Sequence, residues 1–454
     1  MMPSMNRFYF ESGTVCLAAP AASEPPLVKG ASWDTRVGAF RAEAMRYRDW
    51  LTLLVRAEVP LCDEVRAYDE LALVHRRTMP PRGYQSDAVA AWERSGRRGL
   101  IVLPTGAGKT YVAEMCIARA QRSTLVCVPT IELLFQWHDR LQSAFGEIVG
   151  VVGGGEYEPR PITVITYQSA GRMIDHLGAR FGLLICDECH HLPSPAYSEI
   201  ARCSIAPFRL GLSATPERAD QGHALFDELL GPEVFRREVD DLAGRYLSSY
   251  EQVPITVSLD PIDAELYRTL RGEYLSFLRE RGLRMRGPAD WGAFVAEASR
   301  SKRGRRAFRA FREQRRIAFC APAKLRALNE IFGRHADARI LVFTNDNDTV
   351  YRISRAFLLP ALTHRTPGRE RKELLERFRD GRYPCLVTSR VLNEGVDVPE
   401  ANVAVVVSGT SSTREQIQRL GRILRPQEGK QARLYELITG ETVEVAVSER
   451  RRSG

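Results

Sequence analysis

A glycine-rich segment at residues 104–110, PTGAGKT, has the residue types that hold the phosphates of a nucleotide. Glycines let backbone N–H groups close around phosphate oxygens, and the start of a following helix adds positive potential. Lys109 would reach the β- and γ-phosphates, and the Thr110 hydroxyl would bind Mg²⁺. Leu103 stands where the broad pattern G-x-x-x-x-G-K-T has its first glycine, so the G-x-G-K-T part alone is present. The residues predicted to bind the nucleotide here are Thr105, Gly106, Gly108, Lys109 and Thr110.

Two adjacent acids end an apolar run further along the chain. Residues 183–186 are apolar and would form a buried strand, and Asp187 and Glu188 follow directly. A carboxylate at such a strand tip can hold Mg²⁺, and a second carboxylate can orient or deprotonate the attacking water. Asp187 is therefore predicted to bind the metal, directly or through water, and Glu188 is predicted to activate water.

The same stretch contains pairs of residues that could instead bind a transition metal. Cys186 and Cys189 form C-x-x-C, but no second ligand pair lies nearby in the sequence, and Cys186 belongs to the apolar run. His190 and His191 are adjacent, a spacing that rarely chelates a single ion. Zinc binding and thiol redox chemistry are therefore the weaker interpretations. Contact between the histidines and groups that sense phosphate is favoured.

Lysine usage draws attention to Lys109. The chain has 65 basic residues, and six of them are lysines. These are Lys29, Lys109, Lys302, Lys324, Lys372 and Lys430. Between residues 30 and 301 the only lysine is Lys109. Arginine bias can come from genome composition, but a lysine kept at this position indicates that a compact ammonium is required there.

Short apolar runs alternate with helical stretches and predict two parallel α/β sheets. Strands of the first sheet are predicted at 99–103, 124–128, 162–166, 183–186 and 208–212. Strands of the second are predicted at 339–344, 385–388, 403–407 and 434–438. Short buried strands between helices indicate parallel pairing. Such sheets bind ligands at the carboxyl ends of their strands, which is where the phosphate-binding segment and the two acids fall.

Residues 1–77 show a different pattern. Strand-like runs at 7–10 and 14–17 precede a stretch rich in proline, alanine and serine. Helical spacing of apolar residues then predicts a helix over 37–55. The residues with this spacing are Phe40, Ala44, Tyr47, Leu51 and Leu54. A Met-Pro-Pro turn at 79–81 indicates a linker to the first α/β unit.

Positive charge is concentrated between the two α/β units. The whole chain has a net charge of +9. Residues 268–316 hold fourteen arginines and one lysine against five acids, so this segment carries +10 and the rest of the chain about −1. Such a segment indicates a polyanionic partner, and a solvated helical face is the alternative. Aromatic residues interleaved with the arginines could stack on bases, but the i, i+3 spacing of Phe308 and Phe311 favours a helical core.

Composition excludes several classes of protein. Hydrophobic residues make up 44% of the chain and charged residues 27%, values typical of a soluble globular protein. No apolar run approaches the ~18 residues of a membrane span, and the first residues lack the pattern of a signal peptide. At about 150 residues per domain, the chain allows about three domains. Nine scattered cysteines, an odd number, favour reduced thiols in a cytoplasmic protein over a disulfide framework.

Taken in order, these segments resemble the sequence motifs of superfamily 2 helicases. Residues 106–110, 187–190 and 213–215 are similar to motifs I, II and III, and residues 82–85 resemble the Q motif, in which Gln85 would contact adenine. Residues 342–344 resemble motif IV. Residues similar to motifs Ia, Ib and V, which the resemblance implies contact the nucleic-acid backbone, are Pro129, Thr130, Thr166, Gln168 and Thr388. Motif V would also bring Asp397 to the nucleotide. Motif VI would supply Gln418 and the arginine fingers Arg422 and Arg425, which stabilise transition-state charge when the two domains close.

Several segments are similar to the XPB branch of that superfamily in its compact form from archaea and bacteria. They include 187–193, 206–215, 361–366 and 418–426. The resemblance implies an α/β fold with two RecA-like parallel-sheet domains, a small N-terminal α+β domain and a helical thumb-like insertion. The expected boundaries are 1–77 for a damage-recognition-like domain, 78–243 for the first helicase domain, 244–329 for the basic thumb-like insertion and 330–454 for the second helicase domain. In the insertion, Arg303, Arg305 and Arg306 are expected to contact DNA phosphates rather than to form a nuclear signal.

The chain departs from the family pattern after motif III. The family has an Arg-Glu-Asp triplet tied to strand separation, and this chain keeps Arg218 and Asp220 but has Ala219 between them. The two charged residues are expected to contact DNA, with an ordinary exposed loop as the alternative. The substitution bears on efficient unwinding and leaves the ATP motifs intact.

The function that the resemblance implies is ATP-dependent 3′→5′ DNA unwinding or translocation in nucleotide excision repair, with ATP and Mg²⁺ as cofactors. Single-stranded, forked or damaged DNA would be the partner, with a repair nuclease in archaeal relatives, and the protein would work in the cytoplasm on the nucleoid. Three alternatives stay open: a double-strand translocase that does not separate strands, a non-catalytic damage-binding clamp, and an enzyme that acts on RNA.

Overall fold

The computed structural model describes residues 6–18, 25–76, 79–218, 220–242, 246, 249–285, 288–389, 401–408 and 431–452. The chain divides into two compact units after Leu242. The fold class expected from the sequence is confirmed, since each unit contains a predominantly parallel sheet flanked by helices. Six of the residues named above lie outside the described part: Ala219, Asp397, Gln418, Arg422, Arg425 and Lys430. Within the described part, no helix is long and apolar enough to cross a membrane.

The N-terminal domain is a five-stranded sheet with one helix. Its strands are β1 (Asn6–Glu11), β2 (Thr14–Ala18), β3 (Ser32–Asp34), β4 (Ala39–Glu43) and β5 (Leu61–Asp63), and its helix is α1 (Tyr47–Arg56). The strand order is β3-β4-β2-β1-β5, antiparallel except for β1 with β5. Phe8 and Trp50 are buried at its centre, where their rings meet edge to face.

The helix predicted over 37–55 is correct only in its second half. Residues 39–43 form β4, which hydrogen-bonds to strands on both of its sides, and a short 3₁₀ turn leads into α1 at Tyr47. The apolar spacing that suggested one long helix joins Phe40 of the strand to Tyr47 and Leu54 of the helix. Pairing on both edges of β4 therefore overrides the local periodicity.

Residues 64–76 join the N-terminal domain to the first large sheet as an extended strap. Backbone N–H groups along it donate to carbonyls of that sheet's helices and loops, as Ala67 does to Ala179 and Leu71 to Gln121. Ala179 and Ile205 complete the N-terminal domain's own apolar core. The domain is thus packed against the first α/β sheet rather than tethered to it.

The first large sheet has eight strands in the order β13-β6-β12-β11-β7-β10-β8-β9. They are β6 (Arg98–Val102), β7 (Thr124–Val128), β8 (Val149–Gly153), β9 (Glu156–Glu158), β10 (Ile162–Thr166), β11 (Leu183–Asp187), β12 (Phe208–Ser213) and β13 (Glu233–Arg236). The helices are α2 (Gly83–Arg94), α3 (Lys109–Ala120), α4 (Ile131–Phe145), α5 (Tyr167–Leu177), α6 (Ser198–Arg202), α7 (Phe226–Leu229) and α8 (Val239–Leu242). All neighbouring strands are parallel except β8 and β9. The five strands predicted for this sheet are confirmed, with ends that shift by at most one residue.

A buried arginine holds the end of this sheet opposite the strand tips. The Arg209 guanidinium is fully buried and donates to four backbone carbonyls, those of Ala201, Ser204, Ala206 and Leu229, at 2.6–3.1 Å. Burial lowers the pKa of Arg209 to about 9, which still leaves it charged at neutral pH. One side chain therefore supplies donors to carbonyls near the ends of α6 and α7 and in the loop that leads to β12.

The second unit begins with strand β14 (Ser249–Val257) and three helices, α9 (Pro261–Glu280), α10 (Pro288–Ser299) and α11 (Lys302–Phe319), of which α11 is strongly basic. Tyr274, Phe277 and Phe294 are buried between the helices, and Phe308 and Phe311 pack against them. The expected helical core of aromatic residues is therefore confirmed. The arginines lie mostly on the outer faces, as an amphipathic helix requires.

The second large sheet has six parallel strands in the order β14-β19-β18-β15-β17-β16. Beyond β14 they are β15 (Ile340–Phe343), β16 (Ala361–Leu362), β17 (Cys385–Thr388), β18 (Val403–Val406) and β19 (Gln431–Thr439). The described helices are α12 (Pro322–Arg334), α13 (Asn347–Phe357), α14 (Gly368–Arg379) and α15 (Val443–Arg452). Lys324 and Glu444 form a buried ion pair of 2.5 Å, and Lys324 also donates to the Val407 carbonyl.

We expect substitution of Arg209 by methionine to destabilise the first unit strongly. The change keeps much of the side-chain volume but leaves four buried carbonyls without their donor. The expected cost is about 3–5 kcal/mol of unfolding free energy, or roughly a 10 °C fall in melting temperature. Thermal unfolding followed by circular dichroism measures it, with the exposed Arg180→Met as the matched control. Equal melting temperatures for the two variants would contradict the role given to Arg209.

Candidate active site

Five neighbouring strands of the first sheet end in the segments singled out from the sequence. In spatial order, β6 leads to residues 103–110, β12 to 213–215, β11 to 187–188, β7 to 129–130 and β10 to 166–168. Parallel pairing places all five carboxyl ends on the same edge of the sheet. Groups suited to phosphate follow β6 and groups suited to metal follow β11, residues 213–215 follow β12 between them, and hydroxyl and amide groups follow β7 and β10.

The phosphate-binding segment has the backbone conformation that its glycines allow. Gly106 and Gly108 have φ values of +86° and +82°, in the left-handed region. Gly108 is also the residue before helix α3, so the helix begins at Lys109 with its free N–H groups directed at this loop. A Cβ on Gly108 would lie 2.6 Å from Gln85 Nε2. The loop therefore needs glycine there for conformation and for space.

The Q-motif residues contact the phosphate-binding loop itself. Tyr84 Oη and Gln85 Nε2 both donate to the Ala107 carbonyl, at 2.7 and 3.1 Å, and Gln85 Oε1 accepts from the Arg82 N–H at 2.9 Å. Gln85 therefore holds the phosphate-binding loop, and its contact with adenine stays a prediction. Tyr84 did not stand out in the sequence, because a tyrosine beside a helix start has no distinctive pattern.

Polar atoms around the loop are arranged as a nucleotide site requires. The Lys109 ammonium donates to the Leu103 carbonyl at 3.3 Å, and Thr110 lies in the first turn of α3. Thr105 Oγ1 and Glu188 Oε2 are buried and have no hydrogen-bond partner among the described residues. A hydroxyl and a carboxylate oxygen with unused hydrogen-bonding capacity beside a helix start suit a phosphate chain and its cation.

Asp187 lies at the tip of β11 with both carboxylate oxygens held. Oδ1 accepts from the Glu188 N–H at 3.0 Å, and Oδ2 accepts from the indole Nε1 of Trp137 at 2.8 Å. Burial, together with the neighbouring Glu188 charge, raises the pKa of Asp187 to about 6, although Lys109 opposes the shift. Two acids that repel each other in a buried place are stabilised by a divalent cation. Together with Thr110, Asp187 fits the predicted Mg²⁺ site.

Glu188 has a left-handed backbone conformation, with φ +45°, which is uncommon for a residue other than glycine. Its Oε2 lies 3.5 Å from Nδ1 of His190, and the same nitrogen lies 3.4 Å from Ser213 Oγ at the end of β12. Motif II therefore contacts motif III through His190. Among the described residues, no group of three or more His, Cys, Asp and Glu side chains is arranged to hold a metal ion.

Arg218 and Asp220 form a bidentate ion pair at the exposed edge. Arg218 Nε and Nη2 lie 2.8 and 2.5 Å from the two Asp220 oxygens. Nη1 of Arg218 donates to the His190 carbonyl, so the pair is joined to motif II. The pairing holds the pKa of Asp220 well below its usual range. Contact of these two residues with DNA stays a prediction, and Ala219 lies outside the described residues.

The predicted backbone-contacting residues cap the helices that follow β7 and β10. Thr130 Oγ1 accepts from the Leu133 N–H at the start of α4, and Thr166 Oγ1 accepts from the Ser169 N–H at the start of α5. Gln168 is exposed, and Pro129 is half-buried beside Thr130. Helix starts with polar caps at a sheet edge can donate N–H groups to phosphates.

The remaining predicted DNA contacts lie in the second unit. Thr388 ends β17 with a buried hydroxyl that donates to the Ser389 carbonyl at 3.2 Å. On α11, Arg303 and Arg306 form ion pairs with Glu280 and Glu273 of α9. Arg305 donates to the Ser299 carbonyl at 3.1 Å. The structure therefore gives Arg303 and Arg306 intramolecular partners that the sequence did not reveal.

Three family models match the chain. Residues 8–65 match the xeroderma pigmentosum group B helicase damage recognition domain, residues 78–218 match the type III restriction enzyme res subunit, and residues 306–453 match the ERCC3/RAD25/XPB C-terminal helicase. A relative named DNA 3′-5′ translocase XPB2, from Sulfurisphaera tokodaii, is 41% identical over 423 residues, which are 93% of this chain and 96% of the relative.

The chain belongs to the XPB family of superfamily 2 helicases.

More distant XPB relatives are longer. The DNA 3′-5′ helicase XPB of Mycobacterium tuberculosis is 29% identical over 393 residues, which are 84% of this chain and 64% of that protein. The corresponding helicase of Kineococcus radiotolerans is 30% identical over 80% of this chain and 60% of its own length. Among solved structures, the Hef helicase domain of Pyrococcus furiosus aligns with a TM-score of 0.56 and 23% identity, covering 84% of this chain and all of that domain. That likeness supports the fold.

We expect Gly108→Ala to weaken nucleotide binding at least tenfold. A Cβ there meets Gln85 Nε2, and the left-handed backbone costs about 1–2 kcal/mol for alanine. Titration with a fluorescent adenine nucleotide measures the affinity. Gly155→Ala is the matched control, because Gly155 also has a positive φ but a Cβ there meets nothing within 4 Å. If both variants bind the nucleotide like the wild type, the close packing of Gln85 on the loop is not required.

Proposed function

We propose that the chain is an ATP-dependent DNA helicase or translocase with 3′→5′ polarity that works in nucleotide excision repair. The observation that carries this proposal is the order of the five strand tips. Groups suited to phosphate lie at the tip of β6 and groups suited to metal and water at the tip of β11, with residues 213–215 at the tip of β12 between them, and groups suited to a nucleic-acid backbone lie at the next two tips. The printed names of the XPB relatives, which are DNA 3′-5′ helicases or translocases, support the same function.

Within this proposal each predicted residue of the nucleotide site has a defined role. Gln85 would contact the adenine, and Thr105, Gly106, Gly108 and Lys109 would bind phosphates. Thr110 and Asp187 would hold Mg²⁺, which when bound neutralises phosphate charge and polarises the bond to be cleaved. Glu188 would orient the attacking water. Asp397, Gln418, Arg422 and Arg425 are proposed to complete the nucleotide site from motifs V and VI.

We propose that DNA contacts the tips of β7 and β10 in the first unit and the basic helix α11 in the second. Pro129, Thr130, Thr166 and Gln168 would contact the backbone in the first unit, and Thr388 in the second. On α11, Arg303 and Arg306 already form ion pairs with glutamates of α9. Arg309 and Arg312 are exposed and line a cleft of about 1000 Å³ whose wall includes Trp291 and Phe311. Arginines beside aromatic rings are suited to single-stranded nucleic acid.

We propose the four-part division 1–77, 78–243, 244–329 and 330–454 as the functional organisation of the chain. Its first part is proposed to recognise damaged DNA. The N-terminal domain carries a shallow cavity of about 400 Å³ lined by Trp33, Arg36 and Arg41. The Trp33 ring is 49% exposed and meets Phe40 edge to face. A half-exposed aromatic ring flanked by arginines can stack on an unpaired base.

A second candidate function is translocation along duplex DNA without strand separation. Arg218 and Asp220 bind each other and motif II, and the residue between them lacks the family's acid. The relative that is 41% identical is itself named a translocase. A repair nuclease as partner and action on the nucleoid in the cytoplasm are further parts of the proposal.

We expect DNA to stimulate Mg²⁺-dependent ATP hydrolysis by the wild type and Glu188→Gln to lower that rate at least about 100-fold, the usual contribution of a general base. Hydrolysis is measured with single-stranded, forked and blunt duplex DNA at two salt concentrations. Stimulation should weaken at the higher salt, because phosphate contacts release counterions. Glu199→Gln, an exposed acid on α6, is the control.

A labelled strand in the forked substrate separates the two candidate functions in the same reactions. Strand release with hydrolysis supports the helicase, and hydrolysis stimulated by blunt duplex without release supports the duplex translocase. If no DNA stimulates the wild type, or if RNA stimulates it more strongly, the proposed DNA motor is wrong.

We expect Trp33→Ala to lower the preference for damaged over intact duplex while leaving DNA-stimulated hydrolysis unchanged. A point substitution is sharper than deletion of residues 1–77, because deletion would expose Ala179 and Ile205 and remove the strap. Competition binding with a duplex that contains one lesion measures the preference. Val55→Ala, an exposed apolar position on α1, is the control. An unaltered preference in Trp33→Ala would remove this cavity from damage recognition.

A further inference from the structure

One hydrogen bond crosses the boundary between the two halves of the strand-tip edge. The nucleotide half ends with Asp187 on β11, and the half proposed to contact DNA begins with β7 and the helix α4 that follows it. Trp137, on α4, donates its indole Nε1–H to Asp187 Oδ2 at 2.8 Å. No pattern in the sequence pointed to Trp137.

The bond is buried at both ends. Trp137 is 2% exposed and Asp187 is 6% exposed, so water does not replace either partner readily. An indole N–H can donate but not accept, and a carboxylate that receives it is held in its ionised form and in one rotamer. Because each carboxylate oxygen has two acceptor positions, Asp187 keeps capacity for a cation while Trp137 and the Glu188 N–H hold it.

DNA is proposed to bind at the start of the same helix, whereas Trp137 lies in its middle. Thr130 caps α4, and Trp137 follows seven positions later, roughly 10 Å along a rigid helix. Any displacement of the Thr130 end therefore moves the indole relative to Asp187. Two other buried tryptophans differ in this respect: Trp92 donates to the Arg209 carbonyl and Trp50 to the Pro26 carbonyl, both backbone acceptors.

We propose that Trp137 is a positioning residue that sets the orientation of the Asp187 carboxylate and couples it to the DNA-contacting start of α4. This inference rests on the proposed function. DNA bound at Thr130 would settle α4 in the position in which the indole holds Asp187 correctly for the cation. Without DNA the carboxylate would be held less well, and hydrolysis would be slower.

The test is Trp137→Phe, which removes the donor and keeps an aromatic ring. Partners of metal ligands typically contribute about tenfold or more to metal affinity, so the Mg²⁺ concentration for half-maximal hydrolysis should rise about tenfold. The stimulation by single-stranded DNA should fall. Binding of the metal-free nucleotide, measured by fluorescence in EDTA, should be unchanged, because Asp187 is not a phosphate ligand.

Trp92→Phe is the matched control, because it also removes one indole and one buried hydrogen bond from the first unit. We expect it to lower the melting temperature like Trp137→Phe but to leave the Mg²⁺ requirement and the DNA stimulation unchanged. Equal Mg²⁺ dependence of Trp137→Phe and wild type would overturn the proposal. An equal rise in both variants would overturn it too, since the effect would then be one of packing.

A second measurement observes Trp137 in the wild-type protein, so it does not require Trp137→Phe to fold. The five tryptophans can be labelled with 5-fluorotryptophan and the Trp137 resonance assigned by elimination, from Trp→Phe variants at the other four positions. Single-stranded DNA without nucleotide should shift the Trp137 resonance, and so should Mg²⁺–ADP without DNA. If neither ligand shifts the Trp137 resonance, the proposed coupling is wrong. If wild type hydrolyses no ATP with any DNA, the proposed function fails instead.

Discussion

Parallel pairing of β6, β12, β11, β7 and β10 is the constraint on which the site depends. It forces five carboxyl ends onto one edge, so residues from positions far apart in the chain become neighbours. The sequence determines which side chains follow each strand, and the parallel sheet determines how close those side chains lie to one another. Without the crossover helices that make the strands parallel, the phosphate loop and the two acids could not face the same ligand.

Holding charged groups at a buried edge has an energetic cost that the surrounding side chains offset. Asp187 is desolvated beside Glu188, and the indole of Trp137, the Glu188 N–H and the charge of Lys109 favour its ionised form. At the opposite end of the sheet, the buried charge of Arg209 is stabilised because its guanidinium donates hydrogen bonds to four backbone carbonyls. In the second unit Lys324 pairs with Glu444 inside the fold. Such buried charges fix the arrangement of neighbouring elements at the expense of tolerance to substitution.

The sequence predicted five of the eight strands of the first large sheet and four of the six described strands of the second, with the groups at their tips, because short apolar runs and glycine-rich turns are local signals. It failed where the signal is not local. Residues 39–43 have helical spacing but pair on both edges as a strand, and the ion pairs of Arg303 and Arg306 depend on glutamates of another helix. Trp137 was missed for the same reason, since its partner lies fifty positions away.

One sheet edge is proposed to link the nucleotide site to the DNA site. The effect of each ligand on the affinity for the other tests this link most directly. The affinity for fluorescent single-stranded DNA is measured with and without a saturating, non-hydrolysable Mg²⁺–nucleotide, and nucleotide affinity is measured with and without DNA. We expect each ligand to change the affinity for the other by the same factor, about fivefold or more. Affinities for each ligand that do not depend on the other would contradict it.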